Sequence, residues 1–298
     1  EPDSEVIVTV GASEAIDITF RTILAEGSEV ILPGPIYPGY EPIIRMCRAV
    51  PVHVDIRENE FRFTLDMIKP FITDKTRCIV LPYPSNPTGV SLTENELRER
   101  ADYLKGREIF VLADEIYSEL TYDQPHISIA SFLKEKTIVI NGLSKSHSMT
   151  GWRIGFIYAP KDITKHILKV HQYNVSCATS IAQKAALAAL TTGIDDAIPM
   201  KKEYSIRREY VYNRFTAMGL HVVKPDGAFY FFVKIPDSIQ LNSFDFALEM
   251  VHQAKVAVVP GSAFSEYGEG YFRLSFACSL ETLETGLNRI ETFLNVKK

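Results

Sequence analysis

The sequence predicts an α/β fold, in which a large domain with a mostly parallel seven-stranded sheet between helices precedes a smaller C-terminal α+β domain. Seven β-rich runs alternate with amphipathic stretches over the first two-thirds of the chain, which is typical of βαβ units. Most of these runs are continuously apolar, as expected for strands buried on both faces. After Leu190 the alternation gives way to charged helical stretches and a few short strands.

The strand candidates of the large domain are bounded by polar turns. They are Glu5–Val10, Glu29–Leu32, Val50–Val54, Arg77–Pro82, Glu108–Ala113, Thr137–Ile140 and Ile154–Tyr158. Between the fourth and fifth candidates, Thr93 and Glu96 have the spacing of a capping box, which predicts a helix that ends near Leu104.

The smaller domain begins with a long helix. Ile198 to Met218 is charged along its length, with aromatic and aliphatic side chains spaced through it, and suits a helix that bridges two domains. Strands are predicted at Ala228–Val233, Val256–Val259 and Phe272–Phe276, with two further helices, of which the last runs from Ser279 to about Leu294. We therefore expect a large domain over residues 1–195 and a small domain over residues 196–298.

Composition excludes several classes of protein. The chain has 298 residues, of which 46% are hydrophobic and 23% charged, as in ordinary globular enzymes. A net charge of −5 without a basic cluster argues against nucleic acid or an anionic membrane as a partner. No apolar run approaches the roughly 18 residues of a membrane span. The four dispersed cysteines are typical of a reduced, cytoplasmic protein, and no histidine spacing predicts a metal site.

A lysine after the sixth strand candidate carries the strongest chemical signal. In open α/β sheets ligands bind where strands end, so Lys145 is expected to face a crevice. Its amine can form a Schiff base, and Arg153, eight residues later, can bind a phosphate. Pyridoxal phosphate needs that pair of groups. Because an isolated Ser-Lys pair is usually a surface feature, the interpretation depends on the other strand ends.

Three other strand ends carry polar groups. Gly11-Ala12-Ser13 opens a helix whose free N–H groups can bind a phosphate, although an ordinary tight turn explains it equally well. Asn86 lies between two prolines, which can orient its amide towards a ligand. The alternative is that this segment is an ordinary turn. Asp114 ends an apolar strand, where a carboxylate needs a partner, and a protonated pyridine nitrogen would be such a partner. The alternative is that Asp114 caps the start of a helix. Together with Lys145, these turns favour a cofactor site.

At this point the motifs resemble the class I aminotransferases of pyridoxal-phosphate fold type I, over essentially the whole chain. The motifs that carry the resemblance are Asn86-Pro87-Thr88-Gly89, Asp114-Glu115-Ile116-Tyr117, Ser144-Lys145 with Gly151-Trp152-Arg153-Ile154-Gly155, Pro225-Asp226-Gly227-Ala228-Phe229-Tyr230, Pro260-Gly261-Ser262-Ala263-Phe264 and Phe272-Arg273-Leu274-Ser275-Phe276. Within the family, the chain looks most similar to the acetyl-diaminopimelate or aromatic aminotransferase group of Gram-positive bacteria, with the acetyl-diaminopimelate type favoured.

The resemblance implies pyridoxal 5′-phosphate as the cofactor and assigns the catalytic residues. Lys145 forms the Schiff base and moves the proton between substrate and cofactor. Asp114 pairs with the pyridine nitrogen. Tyr117 and Asn86 donate hydrogen bonds to the phenolic oxygen of the ring. Tyr37 stacks on the ring. The alternative interpretation is that Tyr37 is an ordinary buried tyrosine of a loop.

The remaining implied contacts hold the two anionic groups. Ala12, Ser13, Ser144 and Arg153 form the phosphate cradle. Arg273, together with Asn86, binds the substrate α-carboxylate in a bidentate fork; without the resemblance, Arg273 would be interpreted as a charge on an edge strand. The substrates implied are an L-amino acid and a 2-oxo acid such as 2-oxoglutarate, and the implied assembly is a homodimer.

Two features depart from the family pattern. The position three before the lysine, often a serine that binds phosphate, is Gly142. The family also carries a segment before the point that corresponds to Glu1, with an arm, a glycine near the substrate carboxylate and a tyrosine that reaches the neighbouring subunit's phosphate. We expect either that the sequence is part of a longer protein or that this form lacks part of its site.

The motifs leave two other functions open. A lyase or decarboxylase on the same fold would use the same cofactor residues. An aminotransferase-like domain can also sense a ligand in a transcription regulator, which is an argument from fold alone.

Overall fold

A computed structural model of the chain describes residues 1–297. Its larger sheet has seven strands in the order β1-β7-β6-β5-β4-β2-β3. These strands are β1 (Val6–Thr9), β2 (Glu29–Gly34), β3 (Val50–Asp55), β4 (Thr76–Leu81), β5 (Phe110–Asp114), β6 (Thr137–Gly142) and β7 (Gly155–Tyr158). All seven predicted strands are therefore confirmed, with ends shifted by at most two residues. Glu5, predicted to begin the first strand, instead ends a short helix, which has Pro2 at its first position, where proline is favoured.

The sheet is mostly parallel, as predicted, with one reversed strand. The pairs β2–β3, β2–β4, β4–β5 and β5–β6 are parallel, whereas β7 runs antiparallel to both β1 and β6. The connection from Gly142 to Gly155 contains only the short helix Leu143–Ser146 and the 3₁₀ turn Thr150–Trp152, and not the full helix that usually joins parallel strands. Because of the reversal, the N-terminal end of β7 lies at the same edge as the C-terminal ends of β1 and β6.

Helices lie between and after the strands. They are α1 (Pro2–Glu5), α2 (Gly11–Ile23), α3 (Tyr40–Met46), α4 (Leu65–Ile68), α5 (Glu94–Leu104), α6 (Leu143–Ser146), α7 (Lys161–Asn174), α8 (Ser180–Ala189), α9 (Ala197–Ala217), α10 (Ser243–Glu249) and α11 (Leu280–Lys297). The capping box predicted at Thr93 and Glu96 is confirmed, since the two residues exchange hydrogen bonds at the start of α5. No helix in residues 1–297 is both long enough and apolar enough to cross a membrane.

The large sheet is buried on both faces, which explains its continuously apolar strands. On β2, Val30 and Leu32 pack with α2, α3 and α7, whereas Ile31 between them packs on the opposite face with α5. Side chains of a strand alternate between the two faces, so each face needs its own apolar set. The helices on both sides supply the layers that such a sheet requires.

A second sheet of three antiparallel strands lies in the C-terminal part. It contains β8 (Tyr230–Lys234), β9 (Val259–Pro260) and β10 (Tyr271–Ser275) in the order β8-β10-β9. Its core is formed with α9 and α11, through residues such as Phe215, Phe272 and Leu287. Arg273 lies on β10, which is the central strand, so the interpretation of Arg273 as an edge-strand charge is wrong.

Candidate active site

The C-terminal edge of the large sheet forms one wall of a cavity of about 310 Å³. The ten site residues predicted from the sequence all line it: Ala12, Ser13, Tyr37, Asn86, Asp114, Tyr117, Ser144, Lys145, Arg153 and Arg273. Nine of them follow or precede strands of the large sheet, and Arg273 comes from the smaller sheet. The cavity therefore lies where the two sheets meet, beyond the ends of β1, β2, β4, β5 and β6.

The turn after β1 is enclosed by the start of β7. Gly11 has a φ of +79°, and a side chain there would overlap the guanidinium of Arg153. A Cβ at Gly155 would lie 2.7 Å from the backbone nitrogen of Ala12, so glycine is needed for this close approach. The first N–H groups of α2 have no partner within the helix. The turn thus offers backbone donors and Arg153 a positive charge, which is a suitable combination for a phosphate.

Glycine is also needed at position 142, for a steric reason. A Cβ at this position would lie 2.9 Å from the carbonyl oxygen of Ile154, so the backbone would have to shift to admit a serine. The backbone of Ile154 and Gly155 thus packs directly against the position where the resemblance leads one to expect a serine. Ser144, two residues later, is buried and lines the cavity.

Lys145 lies on the short helix α6, immediately after β6. Its Nζ atom is 6.0 Å from the ring centre of Tyr117 and 5.8 Å from that of Phe229. Partial burial lowers the pKa of this amine, as do the charges of Arg153 and Arg273, whereas Asp114 opposes the change. A lowered pKa increases the fraction of neutral amine, which is the form that attacks a carbonyl carbon.

Asp114 ends β5 as a buried carboxylate. It accepts hydrogen bonds from the Tyr40 hydroxyl (2.5 Å) and from the backbone N–H of Ile116 (3.2 Å). Within residues 1–297 no cationic side chain pairs with it. Burial raises its pKa to about 6, against the lowering effect of those hydrogen bonds and of Lys145. The carboxylate therefore faces the cavity with a strong capacity to bind a cationic group.

Arg273 reaches the cavity from β10. Its Nη1 donates to the Asn86 side-chain oxygen at 2.7 Å, and its guanidinium lies between the rings of Tyr230 (4.2 Å) and Phe264 (4.8 Å). The Nε atom is buried without a hydrogen-bond partner, and no carboxylate in the described part of the chain pairs with this arginine. Burial lowers its pKa, although Tyr230 and Tyr117 act in the opposite direction.

Two tyrosines in the cavity wall were missed by the sequence analysis. Tyr40 holds Asp114 from the start of α3, and Tyr230 lies 3.0 Å from the Tyr117 hydroxyl, oxygen to oxygen. Burial raises the pKa of Tyr117 well above its ordinary value, and Tyr230 adds to this effect. Tyr40 lies three residues after Tyr37, and this spacing is a signal that the two share one face of a turn. Tyr230 is the last residue of the motif Pro225-Asp226-Gly227-Ala228-Phe229-Tyr230, but nothing in the sequence assigns it a role.

The chain matches known proteins over almost all of its length. The family model for aminotransferase class I and II matches residues 1–290. A probable N-acetyl-LL-diaminopimelate aminotransferase of Bacillus subtilis is 63% identical over 100% of this chain and 76% of its own length. An aspartate aminotransferase of Pyrococcus abyssi is 41% identical over 100% of this chain and 78% of its own length.

Solved structures agree with these matches. The crystal structure of an aromatic aminotransferase from Pyrococcus horikoshii superposes with a TM-score of 0.96, at 40% identity over 100% of this chain and 81% of that one. An aspartate aminotransferase from Thermotoga maritima superposes with a TM-score of 0.92, at 35% identity over 99% of this chain and 77% of that one. The resemblance and the fold class predicted from the motifs are confirmed. This chain belongs to the class I and II aminotransferases, enzymes that transfer an amino group between an amino acid and a 2-oxo acid.

Proposed function

We propose that this chain transfers the amino group of N-acetyl-LL-diaminopimelate to a 2-oxo acid such as 2-oxoglutarate, with pyridoxal phosphate bound at Lys145. The 63% identity to the Bacillus subtilis relative supports this donor, and the family generally depends on that cofactor. The observation that carries the proposal is Arg273, a half-buried guanidinium at the cavity wall without a carboxylate partner.

Arg273 suits the α-carboxylate of an amino acid for geometric reasons. A guanidinium presents its N–H groups in a planar fork that matches a carboxylate. The Asn86 amide fixes one end of this fork, and the rings of Tyr230 and Phe264 on either side hold its plane. The apolar rings also exclude water, which strengthens the attraction between the two charges.

The donors around the cavity fit pyridoxal phosphate. Asp114 would pair with the ring nitrogen, Tyr37 would stack on the ring, and Asn86 and Tyr117 would bind its phenolic oxygen. The phosphate would lie in the cradle of Ala12, Ser13, Ser144 and Arg153. When bound, this cofactor supplies an aldehyde that combines with amines and a ring that withdraws electrons from the substrate α-carbon.

The chain's own residues then position the substrate and move its proton. Arg273 and Asn86 hold the α-carboxylate, so that the α-carbon is directed towards Lys145. The neutral amine of Lys145, favoured by its lowered pKa, accepts the α-proton at Nζ. Asp114 would hold a protonated ring nitrogen, because its buried carboxylate has no other cation to pair with in residues 1–297.

We also propose a homodimer and two domains, residues 1–195 and 196–298. Apolar side chains are exposed from α7 to the start of α9, including Tyr173 at 89%, Ile181 at 75% and Ile198 at 62% exposure. An apolar face of this kind is typical of a protein interface. Trp152, next to Arg153, is also exposed, so a second copy seated here would reach the rim of the cavity.

A screen of amino donors tests the proposal. The purified protein with pyridoxal phosphate is assayed with 2-oxoglutarate and N-acetyl-LL-diaminopimelate, aspartate or phenylalanine, and glutamate formation is measured. We expect kcat/KM to be highest for N-acetyl-LL-diaminopimelate. A preference for aspartate or phenylalanine would overturn the proposed donor, and release of ammonia or carbon dioxide in place of glutamate would indicate a lyase or decarboxylase.

A further inference from the structure

Glu14 is a buried carboxylate directly behind the turn that follows β1. It is the fourth residue of α2 and is 9% exposed. Its Oε2 atom accepts the backbone N–H of Val10 at 2.5 Å, and its Oε1 atom lies 2.8 Å from Nδ1 of His171 on α7. His171 is buried as well, and neither residue lines the cavity. Both oxygens of the carboxylate are thus bonded within the fold.

The turn needs such support because the residue before α2 supplies no side-chain cap. Val10 precedes α2 and has no side-chain oxygen, so the helix lacks a side-chain cap at this position. Glu14 compensates by reaching back one turn to the N–H of Val10. On the other side, the Thr9 hydroxyl donates to the carbonyl of Gly11 at 3.0 Å, and Gly155 packs against Ala12. The backbone from residue 9 to residue 13 is therefore held from three sides.

His171 restricts the carboxylate in turn. A glutamate side chain has several rotamers, and burial alone does not select the one that reaches Val10. The imidazole of His171 bonds one oxygen, so the other oxygen is left in position for the backbone. Because α2 and α7 pack side by side on the sheet, this contact ties the turn to a second helix.

We propose that Glu14 and His171 are positioning residues for phosphate binding. The pair fixes the backbone of the turn, so that the N–H groups of Gly11, Ala12 and Ser13 converge on one anion without reorganisation. The inference rests on the proposed function, since it takes the phosphate of pyridoxal phosphate as that anion. Its consequence is selectivity for a phosphorylated cofactor over the same ring and aldehyde without phosphate.

A comparison of two ligands isolates this effect. Cofactor-free protein is titrated with pyridoxal phosphate and with pyridoxal, which lacks the phosphate, and the ratio of the two Kd values is obtained from the absorbance change. We expect Glu14→Ala to reduce this ratio about tenfold, because a charge-assisted hydrogen bond to the turn is lost. His171→Leu should reduce it severalfold. Glu14→Gln retains an amide oxygen for Val10 and should restore most of the selectivity.

A matched control separates this role from a general loss of stability. Glu41 on α3 pairs with His53 at 3.0 Å, in a comparable Glu–His contact away from the turn, and Glu41→Ala should leave the ratio unchanged. A wild-type protein that binds both ligands equally would contradict the proposed function itself. Wild-type selectivity in Glu14→Ala, or equal weakening of both ligands, would overturn the positioning role alone. If circular dichroism shows Glu14→Ala to be unfolded, an unchanged ratio in His171→Leu would overturn it.

Discussion

A buried arginine, Arg208, and a half-buried one, Arg273, differ in how their charge is balanced. Arg208 on α9 is 1% exposed and donates to both carboxylate oxygens of Asp123 at 2.9 Å, to Glu209 and to the carbonyl of Pro225. Burial lowers its pKa, but the ion pairs outweigh burial and the net change is upward. Arg273 has one amide oxygen as its partner, and its pKa is lowered by burial.

The difference, together with the position of Arg273 in the cavity wall, supports the proposal that Arg208 serves the fold and Arg273 a ligand. Breaking a charge pair in the interior destabilises a protein, which agrees with a structural role for Arg208. Arg100 is also fully buried, and in residues 1–297 it has no carboxylate partner, but it donates to the carbonyl of Phe63 and does not line the cavity. Arg273 differs from both, because it lines the cavity and has no carboxylate partner in residues 1–297. An arginine that must bind a substrate carboxylate has to be left without one. Asp114 is the acidic counterpart, since it faces the same cavity with hydrogen bonds but no cation from residues 1–297.

The largest effect on turnover is expected at Lys145, which lines the cavity and is proposed to react directly with the cofactor and substrate. Lys145→Ala removes the nucleophile and the proton acceptor together and should reduce transaminase turnover by at least about a thousandfold. The measurement is kcat for glutamate formation, with the exposed Lys165→Ala as a matched control expected to behave as wild type. Turnover in Lys145→Ala within tenfold of wild type would contradict the assignment.

Asp114→Asn should bind the cofactor yet turn over roughly a hundredfold more slowly, because the ring nitrogen loses its anionic partner. Steady-state kinetics at saturating substrate and cofactor measure the effect. If Asp114→Asn kept the kcat of wild type, Asp114 would serve only to bond the backbone of the following turn and would take no part in the chemistry.

The same variant should gain stability relative to wild type in cofactor-free protein as pH rises. Burial raises the folded-state pKa of Asp114 to about 6, so protonation of this group stabilises the fold. That stabilisation is complete below the unfolded pKa and is lost as pH rises through about 6. Asp114→Asn does not titrate, and should gain about 2 to 3 kcal/mol over wild type between about pH 4 and pH 7. Denaturant melts at both pH values test this, and a pH-independent difference would contradict it.

Arg273→Lys should raise KM about tenfold for every amino donor, because a point ammonium does not reproduce the bidentate fork. Arg208→Lys is the matched control and should lower the melting temperature while leaving KM unchanged. An increase confined to dicarboxylic donors in Arg273→Lys would mean that this arginine binds the substrate side chain.

The smallest effect is expected at the partner of the structural arginine. Asp123 is largely exposed, so Asp123→Asn should cost only about 1 kcal/mol of unfolding free energy and leave kcat and KM as in wild type. If Asp123→Asn raised the KM for amino donors, Arg208 would also affect substrate binding, and the proposed division of roles between Arg208 and Arg273 would be wrong.

The strands and the polar turns could be predicted because they depend on local patterns. Continuous apolar runs identify strands buried on both faces, and Lys145, Asp114 and Asn86 each follow such a run. Tyr230 could not be found in this way, because its contact with Tyr117 joins residues 113 positions apart and depends on how the two sheets pack. The antiparallel direction of β7 could not be predicted from local sequence patterns either, although this direction brings Arg153 to the cavity.

Glu14 and His171 show a second limit. Each is an ordinary polar residue in an amphipathic helix, and they are 157 positions apart in the chain. Only the packing of α2 against α7 brings them together behind the turn. The sequence identifies Ala12 and Ser13 as candidates for phosphate contact, whereas the residues that hold their backbone in place become visible only in three dimensions.

The covalent site of the cofactor tests the central claim most directly. Purified protein with pyridoxal phosphate is reduced with borohydride, digested and mapped by mass spectrometry. The predicted result is a single phosphopyridoxyl group on Lys145, absent from Lys145→Ala. A reduced adduct on another lysine, or one that persists in Lys145→Ala, would contradict the claim that the strand-end cavity is the cofactor site.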